Sequence, residues 1–385
     1  MATRVELPQL TGLRFLAAGS VVLFHLHRYS LGGAPEAVQR VAAYGNAAVG
    51  LFFILSGFIL TYTYLGSESP LENRRFWFAR LARIYPVYLL TLLIAAPVDI
   101  RSELSTASVH ELPKLLASLL STPILMQAWI PQVALSWNAP GWSLSAEAFF
   151  YAVFPFVAPR LMRVTVRAAT LDLIALWVAA LAAPIAYGLV FPDRVSAAGP
   201  SSDPWLLLIA YNPLPRLPEF LFGIILARLY LARPRGATPA LNGMLSVAAL
   251  AVLVGLWILV PNLPFLLVNN GLFDPLFALV IYGLATETGL IARVFSTRSI
   301  VFLGGASYSL YLLHWPALEA TFDLAHRTGL SQTVLEFGYA AGIMIAACVI
   351  FRVVEQPARI ALRARLDGLR PASFRSARSM LHRAL

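Results

Sequence analysis

Residues 11–30 read TGLRFLAAGSVVLFHLHRYS. The stretch is dominated by apolar side chains, yet it holds Arg14 and His25. A helix needs about 20 mostly apolar residues to cross the hydrocarbon layer of a membrane, and this run has that length. Ionisable groups inside such a span are costly and are functional candidates by default. Arg14 and His25 are eleven positions apart. At about 100° per residue they return to one helix face, with an axial separation of about 16 Å. His27 lies about 200° from His25 and points away. Arg14 therefore sits near one membrane edge and His25 above it on the same stripe. Snorkelling of a long side chain accounts for Arg14; it does not account for a histidine stacked over it.

The rest of the chain reads the same way. Of its 385 residues, 59% are hydrophobic and 12% charged, and the mean hydropathy is +0.72. Soluble domains carry roughly 45–50% apolar and about 25% charged residues, so a cytosolic enzyme, a disordered chain and a solvated solenoid are excluded. The composition is that of an all-α polytopic integral membrane protein. Spans are expected near 10–31, 43–65, 78–97, 142–159, 170–191, 215–232, 241–260, 269–288, 300–322 and 333–355. An eleventh apolar segment, 112–131, contains Pro113, Lys114, Pro123 and Pro131, each awkward in a continuous helix. The single cysteine, Cys348, excludes a disulfide framework and a cysteine-based zinc site. No metal is expected. A cleavable signal peptide is not expected either, because the first apolar run is too long and carries Arg14 and His25. No internal repeat is visible and no stretch outside the spans is long enough to fold alone. Any chemistry must sit among the spans.

Arginine placement decides between ten and eleven crossings. If 112–131 does not span, 98–140 becomes one long external loop with a surface or re-entrant helix. Then 19 of the 29 basic residues fall on the side of the N-terminus and seven on the other. The first group includes Arg74, Arg75, Arg80, Arg83, Arg160, Arg163, Arg167 and seven arginines from Arg359 to Arg383; the second includes Arg28, Arg40, Lys114, Arg194 and Arg216. By the positive-inside rule this gives ten spans with both termini in the cytoplasm, in the plasma membrane. Residues 1–358 form the transmembrane domain and 359–385 a basic cytoplasmic tail. The formal charge of +10 is thus a topology signal that needs no nucleic acid. The tail can touch anionic headgroups, which attract basic segments at about 1 kcal/mol per arginine.

Other spans carry ionisable groups too. FWFARLARIYPVY, residues 76–88, places Arg80 and Arg83 as i, i+3 neighbours on one helix face at the cytoplasmic boundary. With Arg14 at the same depth, three guanidiniums can converge on phosphate or pyrophosphate, which arginine forks bind bidentately. PGWSLSAEAFFYAVFPF, residues 140–156, puts Glu147 one to two turns into a helix that Ser143, Ser145 or Asn138 would cap. A carboxylate in the hydrocarbon needs a partner; His25 and a substrate hydroxyl are the candidates, and a favourable helix dipole is the bland alternative. GGASYSLYLLHWP, residues 304–316, carries Ser307, Tyr308, Tyr311 and His314, read as interface anchors near a span end. Gly45, Gly50 and Gly57 with Ser56 are small residues that let helices approach.

Five of these features, in this order, resemble the membrane-bound acyltransferase family 3, the integral-membrane O-acyltransferases. They are Arg14 and His25 separated by ten residues, GLFFILSGFIL at 50–60, Arg80 with Arg83, WSLSAE ending at Glu147, and SYSLYLLHWP at 307–316. The resemblance runs from Leu10 to about Arg359. It implies about ten spans, an acyl-CoA donor, and transfer of a short acyl group, usually acetyl, to a hydroxyl, most often on a sugar. It further implies that His25 and Glu147 are the catalytic pair and that Arg14, Arg80 and Arg83 bind the acyl-CoA. The resemblance leaves the acceptor open among a surface polysaccharide, a lipid-linked sugar and a macrolide-type metabolite. Some members carry a fused extracytoplasmic hydrolase-like domain. None is read in these 385 residues, so a two-enzyme relay within the chain is not expected.

Residues and resemblance lead to one arrangement. Arg14, Arg80 and Arg83 hold the phosphates of acyl-CoA, whose pantetheine arm runs up the stripe toward His25. His25 acts as general base on the acceptor hydroxyl, a task that suits the pKa range of histidine, or it carries the acyl group itself. Glu147 orients the imidazole or holds the acceptor. The rival class is a transporter or flippase with the same residues as a proton relay, against which the lack of inverted repeats counts.

Overall fold

A computed structural model describes residues 6–29, 31–66, 70–106, 111–194, 203–233, 239–328 and 331–366. Among these residues every regular element is helical. The longer helices are α1 (Pro8–Tyr29), α2 (Ala48–Leu65), α3 (Asn73–Thr106), α4 (Leu112–Ser121), α5 (Trp142–Leu161), α6 (Val166–Val190), α7 (Pro213–Ala232), α8 (Pro239–Leu259), α9 (Asp274–Thr286), α10 (Arg298–Thr328), α11 (Gln332–Ile350) and α12 (Gln356–Leu366). A backbone without water must satisfy its hydrogen bonds internally, so the apolar runs of this sequence fold as helices. Among the described residues, six helical stretches are long and apolar enough to cross a membrane: Pro8–Tyr29, Glu36–Leu65, Asn73–Arg101, Val166–Val190, Phe265–Thr286 and Thr333–Leu362.

Packing follows the small residues. The α2–α7 pair makes the most extensive helix contact, with α1 against α10 close behind. At the first crossing Gly57 and Gly223 face opposite backbones: a methyl group on Gly57 would lie 2.1 Å from the Phe220 carbonyl oxygen, and one on Gly223 would lie 2.0 Å from that of Ile54. At the second, a methyl on Gly304 would sit 1.9 Å from the Thr11 carbonyl oxygen. Without a hydrophobic driving force between helices in lipid, such close approach is what holds them.

The segment expected as an external loop differs in detail. Helix α3 does not stop near 97 but continues through Pro97 to Thr106. α4 has 10 residues, about 15 Å at 1.5 Å per residue, half of what a crossing needs. After it the chain turns back into the bundle as short 3₁₀ turns at Gln127–Trp129, Pro131–Val133 and Ala139–Gly141. Polar anchors hold it there. The Tyr88 hydroxyl donates to the Thr122 carbonyl at 2.6 Å, Gln127 Nε2 donates to Tyr88 Oη and the Gly141 carbonyl, and Ser145 Oγ donates to the Leu125 carbonyl at 2.7 Å. Leu125 (φ 61°) and Trp137 (φ 67°) are left-handed without being glycine, a strained conformation that persists only when surroundings over-determine it.

At the other end, the boundary expected at residue 359 falls inside α12, which packs on α3. The rest of the expected tail, 367–385, lies outside the described residues.

Candidate functional site

Helix α5 starts from the 3₁₀ turn Ala139–Gly141, and no side chain caps it. The three residues expected to cap are instead drawn into tertiary bonds. Ser143 Oγ donates to the Pro140 carbonyl (2.9 Å) and lies 2.8 Å from the Tyr311 hydroxyl; Ser145 holds Leu125; Asn138 Nδ2 donates to the Leu312 carbonyl at 2.9 Å. The Ser143–Tyr311 and Asn138–Leu312 bonds pin the start of α5 against α10. Glu147, on the second turn, then lines an open-sided cavity with about 750 Å³ of empty space, part of it continuous with the outside.

Arg14 from α1, Arg80 and Arg83 from α3, and Glu147 line that cavity together with Ser56, Tyr151, Tyr308 and Tyr311. The Glu147 carboxylate accepts hydrogen bonds from Ser56 (3.2 Å) and from Tyr151 four residues on. Ser56 is thus a site residue as well as a packing one. Arg80 is boxed by the rings of Tyr64, Phe76 and Tyr151, with its guanidinium carbon 5.4–6.0 Å from their centroids, and donates to the Tyr64 hydroxyl at 3.1 Å. Among the described residues, the buried Nε atoms of Arg14 and Arg80 have no hydrogen-bond partner. A cavity with buried guanidinium donors to spare suits an anionic ligand, because a buried charged donor is costly until paired.

His25 lies elsewhere. It lines a neighbouring, open-sided cavity with about 620 Å³ of empty space, together with Arg28, Asn46, Asn269 and the rings of Phe24, Trp142, Tyr211, Phe265 and Trp315. The strained segment supplies part of its wall through Leu135, Ala139 and Pro140. Val49 and Tyr311 line both cavities. The structure therefore brings Arg14, Arg80, Arg83 and Glu147 together and sets His25 across Tyr311 from them. Among the described residues no hydrogen bond joins His25 to Glu147. The Nδ1 atom of His25 instead lies 3.0 Å from the Val21 carbonyl oxygen and 3.1 Å from His314 Nε2.

His314 and Tyr311 correct the reading of residues 304–316 as interface anchors. His314 is fully buried and Tyr311 is 7% exposed, because α10 packs along α1 and carries both into the bundle. The signal was available: two more polar groups on a helix already holding Ser307 and Tyr308.

A second polar cluster was missed altogether. Arg216, placed among the external basic residues, is fully buried on α7. Its Nε is 3.0 Å from Glu219 Oε2 and its Nη1 donates to Asn270 Oδ1 at 2.9 Å. The guanidinium also lies over the rings of Phe53 and Trp142, at 5.2 and 5.6 Å. Asp274, 1% exposed, faces the same place, since both its Oδ1 and Glu219 Oε1 approach Gly50. Glu219 and Asp274 lie inside expected spans, so the cost of intramembrane charge could have found them. Glu355 was likewise overlooked: a π-helical turn, Phe351–Glu355, buries it where Ser309 Oγ donates to it at 2.9 Å. Among the described residues no three His, Cys, Asp or Glu side chains form a metal-binding group.

A family model described as an acyltransferase domain matches residues 7–353. Acyltransferase MdmB of Streptomyces mycarofaciens is 28% identical over 386 residues, covering 92% of each chain. O-acetyltransferase OatA of Staphylococcus aureus is 24% identical over 371 residues, covering 92% of this chain but 57% of its own length. No solved structure matches the chain.

Proposed function

The chain belongs to this acyltransferase family, and on that premise we propose that it is an O-acyltransferase of the plasma membrane, moving a short acyl group, acetyl first of all, from acyl-CoA to a hydroxyl of a carbohydrate-type acceptor. The observation that carries the reading is the pair of adjoining cavities, one lined by arginines and one by His25, sharing Tyr311. Two substrates of opposite character have two compartments and a common wall. Arg14, Arg80 and Arg83 suit the phosphates of the donor, and the free Nε donors of Arg14 and Arg80 support that assignment. The rings around His25, with Asn46 and Asn269 among them, suit a hydroxylated ring such as a sugar, whose apolar face stacks while its hydroxyls bond the amides.

In this reading His25 takes the proton of the acceptor hydroxyl as its oxygen attacks the thioester carbonyl. The C–S bond breaks, an ester C–O bond forms, and the thiolate leaves as a thiol with the proton the hydroxyl gave up. Glu147, held by Ser56 and Tyr151, serves the donor cavity, balancing arginine charge when no phosphate is bound. The deciding experiment incubates purified protein with radiolabelled acetyl-CoA. Acyl transfer, or slow hydrolysis without acceptor, supports the enzyme; substrate uptake into vesicles with no loss of the acyl group refutes it.

The same reading takes ten spans, with both termini cytoplasmic. The helices over the ten apolar runs and the shortness of α4 support it. Reporters fused after residues 128 and 265 should read external, and those after 165 and 380 cytoplasmic. Reporters at 128 and 165 on one side would refute the topology.

Arg80→Lys and Arg83→Lys keep the charge and lose the planar fork. Each should raise the apparent KM for acetyl-CoA at normal membrane abundance. Arg80→Lys should act more strongly, since it also loses the stacking on three rings. Unchanged donor kinetics would reduce the pair to a topology signal.

A further inference from the structure

We infer that His314 is a positioning residue for the reaction: it accepts the Nδ1 proton of His25 and leaves the Nε2 of His25 as the bare nitrogen that meets substrate. The inference rests on the acyl-transfer reading for its kinetic consequence, and on geometry alone for the hydrogen bond.

A carbonyl oxygen can only accept. His314 Nδ1 lies 2.5 Å from the Tyr311 carbonyl oxygen, so that nitrogen carries the proton. A neutral imidazole has one N–H, which leaves His314 Nε2 bare and able only to accept. It faces His25 Nδ1 at 3.1 Å, and that atom is also 3.0 Å from the Val21 carbonyl oxygen. Both neighbours require the proton on His25 Nδ1. A doubly protonated His314 would instead force His25 Nδ1 to be bare, setting its lone pair against that of Val21. The Val21 carbonyl and His314 Nε2 select one tautomer of His25, with its Nε2 free.

The rest of α10 keeps this acceptor in place. His314 is fully buried, and its own carbonyl oxygen accepts from the Tyr339 hydroxyl of α11 at 3.0 Å. The ring of Trp315 packs edge-on to His25 at 5.2 Å. When Nε2 takes the acceptor proton, His25 becomes a cation and its Nδ1–H bond to His314 becomes charge-assisted, the stronger class of hydrogen bond. His314 thus selects the tautomer beforehand and stabilises the charge afterwards, without touching substrate.

The test has two arms. Protein with ¹⁵N-labelled imidazoles in lipid nanodiscs is studied by NMR, with His25→Ala and His314→Leu assigning the signals by their loss. Expected are a protonated Nδ1 and a bare Nε2 on His25, and a coupling between His25 Nδ1 and His314 Nε2 across the hydrogen bond. A bare His25 Nδ1, or a proton on His314 Nε2, overturns the proposal. In turnover of acetyl-CoA, His314→Leu should lower kcat about 10–100-fold, part of the roughly 10²–10⁴-fold a general base supplies, with KM for acetyl-CoA unchanged. His314→Gln, whose amide oxygen restores an acceptor, should recover most of it, and His314→Leu should add nothing to His25→Ala. Wild-type kcat in His314→Leu overturns the proposal, as does a folded His314→Gln no better than His314→Leu. Full activity in His25→Ala would refute His25 as the base, and no acyl transfer by the wild-type protein would refute the acyl-transfer reading; in either case the NMR arm still decides the hydrogen bond.

Discussion

His25→Ala abolishes acyl transfer by the purified protein, while His27→Ala leaves most of it. General-base catalysis is worth about 10²–10⁴-fold, so the first loss should exceed any modest effect on folding. His25 lines the cavity of Asn46, Trp142 and Trp315, whereas His27 lines neither of the two cavities. Donor binding should survive in His25→Ala, because Arg14 lies about 16 Å along the helix in the other cavity. Equilibrium binding of labelled acetyl-CoA, measured beside turnover, separates the two effects. An active His25→Ala enzyme would remove the core of the mechanism. An inactive but well-folded His27→Ala would mean that the helix face was assigned to the wrong histidine.

Arg216→Met destabilises the protein by about 3–5 kcal/mol, the cost of removing one partner from a buried ion pair. Methionine keeps much of the volume between Phe53 and Trp142 but leaves Glu219 and Asp274 with no cation in a fully buried site. Combining it with Glu219→Gln removes a stranded charge and should recover part of the loss, since the penalty lies in the uncompensated carboxylate rather than in the missing contact. The thermal midpoint of a fluorescent fusion, followed by size exclusion in detergent, reports both. An unchanged midpoint for Arg216→Met would show that the cluster contributes nothing to the fold.

His25 was legible from a single helix: its spacing from Arg14 puts both on one face whatever surrounds them. Arg216 was not, because its distance from the end of α7 looks the same whether the helix begins at the membrane surface or deep in the bundle. Only the crossing of α7 with α2, made close by Gly57 and Gly223, carries it between Phe53 and Trp142. Glu147 is an intermediate case. Its need for a partner followed from its place in an apolar run, with His25 and a substrate hydroxyl as candidates; among the described residues it is not bonded to His25. Ser56 and Tyr151 hold it among the arginines. Tyr151 lies four residues along the same helix and was readable from spacing. Ser56 comes from α2 and was not.

The sequence by itself determined that this is a helical chain with the apolar helices of a membrane protein, and which family it joins. Those properties are local: a bilayer interior forces apolar runs into helices, and a motif is a pattern along one strand of sequence. Which helices touch was decided only by the tertiary structure. In lipid all apolar faces are equivalent as solvent-facing surfaces, so hydrophobic periodicity does not choose a neighbour; close backbone approach and a few polar bonds do. Hence His25 could be placed on its stripe from the sequence. Its partner His314, 289 residues away, needed α10 packed along α1.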